Sequence, residues 1–427
     1  MIGLLGKTLS HSLSKPLHQA LGTDAYQLFE TDDLATFIHR TAFKALNVTI
    51  PYKRDMVSFC TSRDEVVEAT GVTNTVVRMH DGTLRAYNTD YDALKTLIDW
   101  HAPKDRSLPA AIIGNGSTAR TAQYALERAG YTDIRLYARQ PLPGERSLDQ
   151  IAEIRQAGLL IQATPVGTSP DLETRFELDL KGSRLQWVLD VVYNPPLTRL
   201  VQEARDAGIT AHNGLTMLIL QALHAHGHFM NTPPPLERLA PLHAHLLKYL
   251  ANIVLIGPPF SGKSTLAPRL AERFGKHPID TDSLIESKSG MRVADIFSRL
   301  GEVTFRSMEK YQTMTVAAQG RQIIATGGGA VLQEPLMRAL QRTGVLVHID
   351  PDLGLVRDMP LKNRPLITSW ADYETLRTAR DPLYARYADV RIHKTSLDLA
   401  AILDEIEVKL DAYFRNQWTE LESPRTP

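Results

Sequence analysis

The segment Asn252-Ile-Val-Leu-Ile-Gly-Pro-Pro-Phe-Ser-Gly-Lys-Ser264 indicates the architecture of the second half of this 427-residue chain. Residues Ile253 to Ile256 are an apolar run typical of a buried strand, and Gly257 to Ser264 match the pattern GxxxxGK[ST]. That pattern forms a phosphate-binding loop only between a strand and a helix, and a helix-like segment follows it here. We therefore predict a parallel α/β domain that binds a nucleotide through this loop.

The loop itself indicates which groups would hold the nucleotide. Backbone N–H groups would cradle the phosphates, Lys263 would reach the β- and γ-phosphates, and the hydroxyl of Ser264 would ligate Mg²⁺. Phe260 stands where loops of this kind usually have glycine. ATP and Mg²⁺ are the predicted cofactors, and the predicted nucleotide-binding residues are Gly257, Ser261, Gly262, Lys263, Ser264 and Thr265.

Length and composition predict a globular chain of two or three domains. Lysine plus arginine and aspartate plus glutamate each number 48, so we expect no nucleic-acid or anionic membrane partner. The single cysteine, Cys60, excludes an intrachain disulfide and a thiolate metal cluster, and it favours a reducing, cytoplasmic compartment. Apolar runs fall far below the roughly 18 residues that a membrane span needs. No protein partner can be read from the sequence.

A second glycine loop lies in the first half of the chain. The apolar run Ala110–Ile113 ends at Gly114, a helix-like segment covers residues 118–129, and another apolar run follows at Ile134–Ala138. This βαβ pattern predicts a Rossmann-like unit with a doubly wound parallel sheet. The residues predicted to bind its dinucleotide are Gly114, Asn115, Gly116, Ser117, Thr118, Ala138 and Arg139.

Arg139 indicates which dinucleotide to expect. NAD enzymes usually carry an acidic residue at the end of this strand, where it binds the ribose hydroxyl. An arginine in that place instead suits a 2′-phosphate, so NADP(H) is the predicted cofactor. A solvated arginine at a strand end is the alternative interpretation.

Several short motifs follow the phosphate-binding loop in order. They are Asp280-Thr-Asp282, Phe305-Arg-Ser-Met-Glu309, Ala325-Thr-Gly-Gly-Gly-Ala330, Arg357, Asn363-Arg-Pro365 and Arg380-Asp-Pro-Leu-Tyr384. This set closely resembles the shikimate kinase family over nearly all of residues 252–410. The resemblance implies that ATP phosphorylates the 3-hydroxyl of shikimate.

The resemblance gives the acidic and basic residues their roles. Asp282 would orient the attacking hydroxyl and accept its proton, while Asp280 would support Mg²⁺ through water. Arg306 and Arg380 would bind the substrate carboxylate. Glu309 lies three residues beyond Arg306, on the same helical face, and would hold its guanidinium in place.

Glycines and a lid complete the expected kinase site. Gly327, Gly328 and Gly329 would let the backbone approach the ring of the substrate. Arg357 and Arg364 would belong to a lid that closes over the transferring phosphoryl group and excludes water.

A second set of motifs lies in the first 228 residues. It consists of His11-Ser-Leu-Ser14, Asn47-Val-Thr-Ile-Pro-Tyr-Lys53, Thr73-Asn-Thr75, Tyr87-Asn-Thr-Asp90, Asp190-Val-Val-Tyr-Asn-Pro195 and Asn213-Gly-Leu-Thr-Met-Leu-Ile-Leu-Gln221. These motifs closely resemble the shikimate dehydrogenase family. The resemblance implies that Lys53 and Asp90 are the catalytic pair, with Lys53 supplying the proton when a ketone is reduced. The substrate-binding residues that it implies are Ser12, Ser14, Thr49, Asn74, Gln221 and Tyr193.

The motifs also predict how the chain is divided. Thr232-Pro-Pro-Pro235 stops both helix and sheet, so one domain should end there. We predict a substrate domain at residues 1–92, completed by 206–230; a dinucleotide-binding domain at 93–205; a linker at 231–250; a kinase domain at 251–415; and a polar tail at 416–427.

The predicted function is bifunctional, with 3-dehydroshikimate reduced to shikimate and shikimate then phosphorylated. Two alternatives concern the first half only. It would be a quinate or broad-specificity dehydrogenase, or a degenerate regulatory module attached to a working kinase. Retention of both Lys53 and Asp90 argues against the second alternative.

Overall fold

The computed structural model describes residues 1–9, 12–357, 359 and 367–418, and within these residues the strands form three sheets. The first sheet has the order β2-β1-β3-β5-β6-β4, and its β5 runs antiparallel to both neighbours. The elements of this unit are β1 (Ile2–Gly6), α1 (Ser14–Ala20), β2 (Tyr26–Glu30), α2 (Leu34–Arg40), β3 (Ala45–Val48), a 3₁₀ helix (Asp55–Phe59), β4 (Ser62–Arg63), α3 (Glu65–Thr70), β5 (Thr75–Arg78), β6 (Leu84–Tyr87) and α4 (Thr89–His101).

The second sheet is parallel throughout and has the order β12-β11-β10-β7-β8-β9. From β7, successive strands are added on one side as β8 and β9 and then on the other side as β10, β11 and β12. This is the doubly wound arrangement. The elements are β7 (Ala110–Ile113), α5 (Ser117–Arg128), β8 (Ile134–Ala138), β9 (Arg146–Ser147), a 3₁₀ helix (Leu148–Gln156), β10 (Leu159–Gln162), β11 (Trp187–Asp190), α6 (Arg199–Asp206), β12 (Thr210–His212), α7 (Leu215–Met230), a 3₁₀ helix (Leu236–Arg238) and α8 (Leu239–Leu250).

The third sheet is also parallel and has the order β14-β15-β13-β16-β17. Among the described residues, no helix is both long and apolar enough to cross a bilayer. The elements are β13 (Asn252–Ile256), α9 (Lys263–Phe274), β14 (His277–Asp280), α10 (Thr281–Ser289), α11 (Val293–Ala317, kinked at Gly301), β15 (Gln322–Ala325), a 3₁₀ helix (Ala330–Leu332), α12 (Glu334–Thr343), β16 (Gly344–Pro351), α13 (Leu353–Val356), α14 (Trp370–Tyr387), β17 (Val390–Lys394) and α15 (Leu399–Gln417).

The prediction that a polar tail begins at residue 416 is wrong. Helix α15 continues to Gln417, and the ring of Trp418 packs 6.5 Å from that of Trp100 and 5.5 Å from that of His243. The apolar stripe of α15 extends by one more helical step, from buried Phe414 to Trp418, and holds the end of the helix against the first half. Residues 419–427 of the predicted tail lie outside the described residues.

Helices α8 and α12 connect the two halves. Leu242 and Leu246 of α8 are buried in the hydrophobic core of the first half, while Leu247 packs against the core around the third sheet. From α12, the guanidinium of Arg342 contacts the carboxylate of Glu173 at 2.6 Å. The backbone carbonyl of Arg342 accepts the N–H of Leu197 at 3.0 Å. The contact between halves therefore includes apolar packing and a buried cation.

Two candidate active sites

Lys53 and Asp90 form an ion pair between two parts of the first unit. Lys53 lies in the turn after β3, and Asp90 lies in the first turn of α4, which Asn88 caps by accepting the N–H of Tyr91. The Nζ–Oδ2 distance is 2.6 Å, and the side chains are 13% and 8% exposed. The pair is thus largely shielded from solvent.

Asn74 fixes the orientation of the Asp90 carboxylate. Its Nδ2 donates to Oδ1 of Asp90 at 2.9 Å, and its Oδ1 accepts the N–H of Thr89 at 2.8 Å. Nδ2 also lies 3.4 Å from Oε1 of Gln221 on α7, whose Nε2 donates to the carbonyl of Leu218. Four predicted residues, Lys53, Asp90, Asn74 and Gln221, therefore lie together in the structure.

The other predicted substrate residues of this half are placed more separately. Ser14 begins α1, and its N–H donates to Oγ of Ser12 at 3.1 Å. Thr49 follows β3 and donates its N–H to Leu5, and burial raises the pKa of the Tyr193 hydroxyl. Among the described residues, no hydrogen bond joins these four side chains to the Lys53 pair. His11, part of the serine motif, lies outside the described residues.

The glycine loop of the second sheet leads directly into α5. Gly114 has φ of +113°, and a Cβ there would lie 2.9 Å from the carbonyl of Ala163, so only glycine suits this position. Gly116 caps α5 without a side-chain hydrogen bond, which leaves the N–H groups near Ser117 and Thr118 available to an anion. The loop therefore fits the pyrophosphate of a dinucleotide.

Arg139 is exposed immediately after Ala138, at the end of β8. Nearby, Asn115 donates through Nδ2 to Oε2 of Glu145 at 2.9 Å, and the same oxygen accepts the N–H of Leu142 at 2.8 Å. Sequence reasoning missed Glu145. Its carboxylate is engaged by two donors, which reduces its repulsion of a phosphate at Arg139.

The phosphate-binding loop of the kinase half is built as predicted from a strand, a turn and a helix. Nζ of Lys263 lies 2.9 Å from the carbonyls of Gly257 and Pro258 and 3.0 Å from Oγ of Ser261. Thr265 is exposed in the first turn of α9, beside Ser264. The loop presents its N–H groups and lysine at the carboxyl edge of the sheet.

Ser264 and Asp280, the two predicted Mg²⁺ residues, are in contact. The hydroxyl of Ser264 donates to Oδ2 of Asp280 at 2.6 Å, while Oδ1 of Asp280 caps α10 at the N–H of Ser283. A hydroxyl and a carboxylate side by side are oxygen donors of the kind that Mg²⁺ prefers. The pair fits a site for that cation.

Phe260 has a contact that its sequence position did not predict. Its φ is +66°, a conformation that costs energy in a residue with a Cβ. The ring lies 5.9 Å from Trp370 and 5.8 Å from Tyr373, both on α14. Aromatic packing offsets the unfavourable backbone conformation and joins the loop to α14.

The predicted acceptor residues converge beside this loop. Nη1 of Arg306 donates to Oε2 of Glu309 at 2.7 Å, and a Cβ on Gly327 would lie 2.6 Å from Oε1 of Glu309 and 2.9 Å from Oδ1 of Asp282. Glu309 is fully buried, and burial raises the pKa of its carboxyl against the opposing effect of Arg306. Sequence reasoning missed Gln333, which donates to the same carboxylate at 2.9 Å.

Gly328 and Gly329 bring two cations to the same place. The carbonyl of Gly328 accepts Nη1 of Arg380 at 3.1 Å and the hydroxyl of Tyr384 at 2.6 Å. A Cβ on Gly329 would overlap the guanidinium of Arg306. Arg306 and Arg380 therefore lie on either side of the glycine turn, and Tyr384 is an unpredicted member of the site.

One of the two predicted lid residues, Arg357, lies within the described residues. Arg357 is exposed after α13, and its Nη2 lies 3.3 Å from Oε1 of Glu374. Arg364 and its motif lie outside the described residues.

The fold and the sites define a class of protein. A doubly wound sheet with a dinucleotide-type loop accompanies a buried Lys–Asp pair, and a P-loop sheet accompanies an arginine-lined acceptor site. The chain is a fusion of an oxidoreductase with a small-molecule kinase.

Relatives identify both halves. A profile of the shikimate kinase family matches residues 259–411, and a profile of the shikimate dehydrogenase substrate binding domain matches residues 4–76. A shikimate kinase of Symbiobacterium thermophilum is 41% identical over 37% of this chain and 95% of its own length. A shikimate dehydrogenase (NADP(+)) of Caldicellulosiruptor bescii is 30% identical over 52% of this chain and 86% of its own length. The chain belongs to the shikimate dehydrogenase family in its first half and to the shikimate kinase family in its second.

Solved structures agree with the fold of the first half. A chorismate mutase/shikimate 5-dehydrogenase fusion protein from Clostridium acetobutylicum has a TM-score of 0.51 at 24% identity, covering 57% of this chain and 96% of that one. A quinate dehydrogenase from Corynebacterium glutamicum in complex with NAD has a TM-score of 0.50 at 25% identity, covering 56% and 97%. The predicted α/β fold and the prediction of two shikimate-pathway enzyme activities are confirmed.

Proposed function

We propose that this chain reduces 3-dehydroshikimate to shikimate with NADPH and then phosphorylates the 3-hydroxyl of shikimate with MgATP. The observation that carries the first reaction is the 2.6 Å contact between Lys53 and Asp90, held in place by Asn74. The second reaction has its support in the acceptor site around Gly327, Arg306 and Asp282. The product of one half would be the substrate of the other.

In the first half, NADPH would supply the hydride that reduces the ketone carbon. Lys53 would donate a proton to the ketone oxygen, so that a C–H and an O–H bond form together. Asp90 would keep the ammonium oriented, and Asn74 would prevent the carboxylate from turning away from it. Ser12 and Ser14 would bind the substrate carboxylate, while Thr49, Gln221 and Tyr193 would complete the substrate site.

In the second half, ATP would supply the phosphoryl group, and Mg²⁺ would neutralise much of the negative charge on the phosphates. Asp282 would accept the proton of the 3-hydroxyl as the oxygen attacks. Arg306 and Arg380 would bind the carboxylate of shikimate, and Glu309 would hold Arg306 in a fixed rotamer. Ser264 and Asp280 would hold the metal ion.

Arg139 supports the choice of NADP(H) over NAD. It is exposed at the end of β8, where a 2′-phosphate would lie, and the nearby Glu145 is bonded to other groups. We also propose the domain boundaries given above, with the kinase domain extended through Trp418, a lid containing Arg357 and Arg364, and a cytoplasmic location.

A quinate dehydrogenase is the second candidate for the first half, because one structural relative carries that name. Ser12 and Ser14 at the start of α1 favour shikimate. Comparing shikimate with quinate as hydride donors to NADP and to NAD separates the two functions. Faster oxidation of quinate with NAD would favour the second candidate.

The test of the whole proposal is mass spectrometry of products. The full chain is incubated with 3-dehydroshikimate, NADPH and MgATP, and each cofactor is omitted in turn. We expect shikimate 3-phosphate only with both cofactors and free shikimate when ATP is omitted. If 3-dehydroshikimate survives while added shikimate is phosphorylated, the first half is a binding module or acts on another substrate.

A further inference from the structure

Lys394 lies against the phosphate-binding loop from the far edge of the third sheet. It is the last residue of β17 and shares its inward face with the buried residues Val390 and Ile392. The residue is only 9% exposed, and a Cβ added to Gly262 would lie 3.2 Å from Nζ. The amine of this buried residue therefore lies beside Gly262, the residue that caps α9.

This location is electrostatically unfavourable for a cation on its own. The N-terminus of α9 carries partial positive charge, and Lys263 adds a full charge within the same loop. Among the residues that the structure describes, no ion pair or hydrogen bond to Nζ of Lys394 is formed, and burial lowers the pKa of this amine. An anion at this position would balance the excess positive charge.

Lys276 shows what a purely structural buried lysine looks like in the same domain. Its Nζ donates to the backbone carbonyls of Lys248, Tyr249 and Ala251 at 2.8–3.0 Å. All three ammonium protons are thereby satisfied. Lys394 lacks such an arrangement within the described residues, so packing does not explain its burial.

The strand order indicates which part of a nucleotide would meet Lys394. All five strands are parallel, so their carboxyl ends lie along one edge of the sheet. Asp280 ends β14 on one side of the loop, together with the acceptor residues after β15, while Lys394 ends β17 on the opposite side. The transferring phosphoryl group belongs on the β14 side, and the nucleoside end belongs on the β17 side.

We propose that Lys394 is a nucleotide-binding residue whose ammonium contacts the α-phosphate. This inference rests on the proposed kinase function. In it, Lys263 binds the terminal phosphates from within the loop, and Lys394 binds the phosphate next to the ribose from across the sheet. The two lysines would position the phosphate chain from both ends.

The test is the affinity of the full chain for ADP, AMP and adenosine, measured by equilibrium competition. Lys394→Met removes the charge and keeps the length of the side chain, and Lys394→Arg keeps the charge. The matched control is Lys409→Met, which removes an exposed lysine from α15 in the same domain. We expect Lys394→Met to weaken ADP and AMP about tenfold, because a charge-assisted hydrogen bond is lost, and to leave adenosine unchanged.

Thermal unfolding keeps the test independent of folding defects. Without nucleotide, Lys394→Met should unfold at the same temperature as wild type or higher, because a buried cation without a counter-charge has been removed. Its stabilisation by ADP should be smaller than that of wild type and of Lys409→Met, and Lys394→Arg should restore part of it.

Two results would overturn the inference. An ADP affinity of Lys394→Met within twofold of wild type would show that the amine does not contact the nucleotide. Weakened ADP with unchanged AMP would move the contact away from the α-phosphate. Failure of the wild-type chain to bind ADP would instead overturn the proposed nucleotide site, so the two proposals fail in different ways.

Discussion

The two active sites differ in how much of their arrangement the protein holds by itself. In the first half, Lys53, Asp90 and Asn74 come from separate segments and are already joined by short hydrogen bonds. In the second half, the amine of Lys263 bonds to the carbonyl of Gly257 and to other atoms of its own loop. A bound phosphate would have to draw the amine away from these atoms.

The difference follows from the chemistry of each site. A proton donor and its orienting carboxylate have opposite charges, so they satisfy one another and can be preformed. A phosphate site consists of cations and N–H donors, which have no counter-charge until the nucleotide binds. We therefore expect substitutions in the first site to affect mainly turnover, and substitutions of the phosphate-binding residues in the second site to affect ligand-linked stability as well.

Lys53→Ala should give the largest effect and should separate the two halves. Reduction of 3-dehydroshikimate should slow by about a thousandfold, because a positioned acid is lost, while phosphorylation of shikimate is unchanged. Loss of NADPH absorbance measures the first activity, and ADP release measures the second. Lys44→Ala, which removes an exposed lysine just before β3, is the control.

Unchanged NADPH turnover in Lys53→Ala would contradict the role of this pair. It would favour a first half that binds its ligand through other residues. The same result in a chain with intact kinase activity would revive the regulatory-module interpretation.

Asp282→Asn is the corresponding change in the second half. We expect kcat for shikimate phosphorylation to fall by roughly a hundredfold, because the hydroxyl loses its proton acceptor. Stabilisation by ADP should persist, since Asp282 faces the acceptor beside Gly327. Asp295→Asn removes a partly exposed carboxylate from α11 and serves as control.

A loss of ADP binding in Asp282→Asn that matches its loss of turnover would contradict the separation of acceptor and nucleotide residues. Reduction of 3-dehydroshikimate is measured in the same preparation and should be unchanged.

Local motifs allowed much of the fold and of both sites to be predicted. The strand at Ala110–Ile113 and the strand beginning at Asn252 were predicted because an apolar run ends at a glycine loop in each case. Lys53 and Asp90, and likewise Arg306 and Glu309, meet as predicted because family motifs or helical spacing place them together. Their catalytic roles stay predictions.

Residues that reach a site through strand order could not be predicted. Lys394 follows the phosphate-binding loop by more than 100 residues in the chain, yet it returns to the loop because β17 lies two strands from β13. No periodicity in the sequence encodes that strand order. Gln333 and Tyr384 differ, because each lies four residues after a predicted site residue, Gly329 or Arg380, and was given no role.

Strand boundaries show a second limit. The motif Asn47–Lys53 carries apolar residues as far as Ile50, but β3 already ends at Val48. Pro51 has no N–H to extend the ladder, and the chain turns at Ile50. The apolar pattern runs through this turn because Ile50 is apolar although it is exposed.

Asp190→Asn should make the stability of the first half less sensitive to pH. Asp190 ends β11, and burial raises the pKa of its carboxyl to about 7, although Thr198, Val192 and Gln162 donate to it. A raised pKa in the folded state stabilises the protein at low pH, and this contribution is lost as the pH rises through that value. The free energy of unfolding of the variant, relative to that of wild type, should therefore rise by about 3 kcal/mol from pH 4 to pH 8.

Urea unfolding at several pH values measures this shift. A difference between Asp190→Asn and wild type that stays constant from pH 4 to pH 8 would contradict a raised pKa, and the asparagine would then act only through its hydrogen bonds.

The contact between the halves gives the smallest expected effect. The Arg342 side chain is 7% exposed and Glu173 is 52% exposed, and Glu173 also accepts Nη1 of Arg199 at 3.0 Å. Glu173→Gln leaves a buried guanidinium whose remaining described contact is Gln202 at 3.4 Å, so it should cost about 2 kcal/mol. Arg342→Met leaves an exposed carboxylate that keeps Arg199 and buries an apolar chain instead, so it should cost about 1 kcal/mol.

The partly exposed pair Arg338–Asp206 joins α12 to α6 in the same contact and is the matched control, because Arg338→Met removes a cation that water can already reach. Urea unfolding of the three variants compares the costs, and a larger cost for Arg342→Met than for Glu173→Gln would contradict the burial argument. In that case the aliphatic part of Arg342, and not its charge, would hold the halves together, and the kinase half would be joined to the dehydrogenase half by packing along α8 and α12 alone.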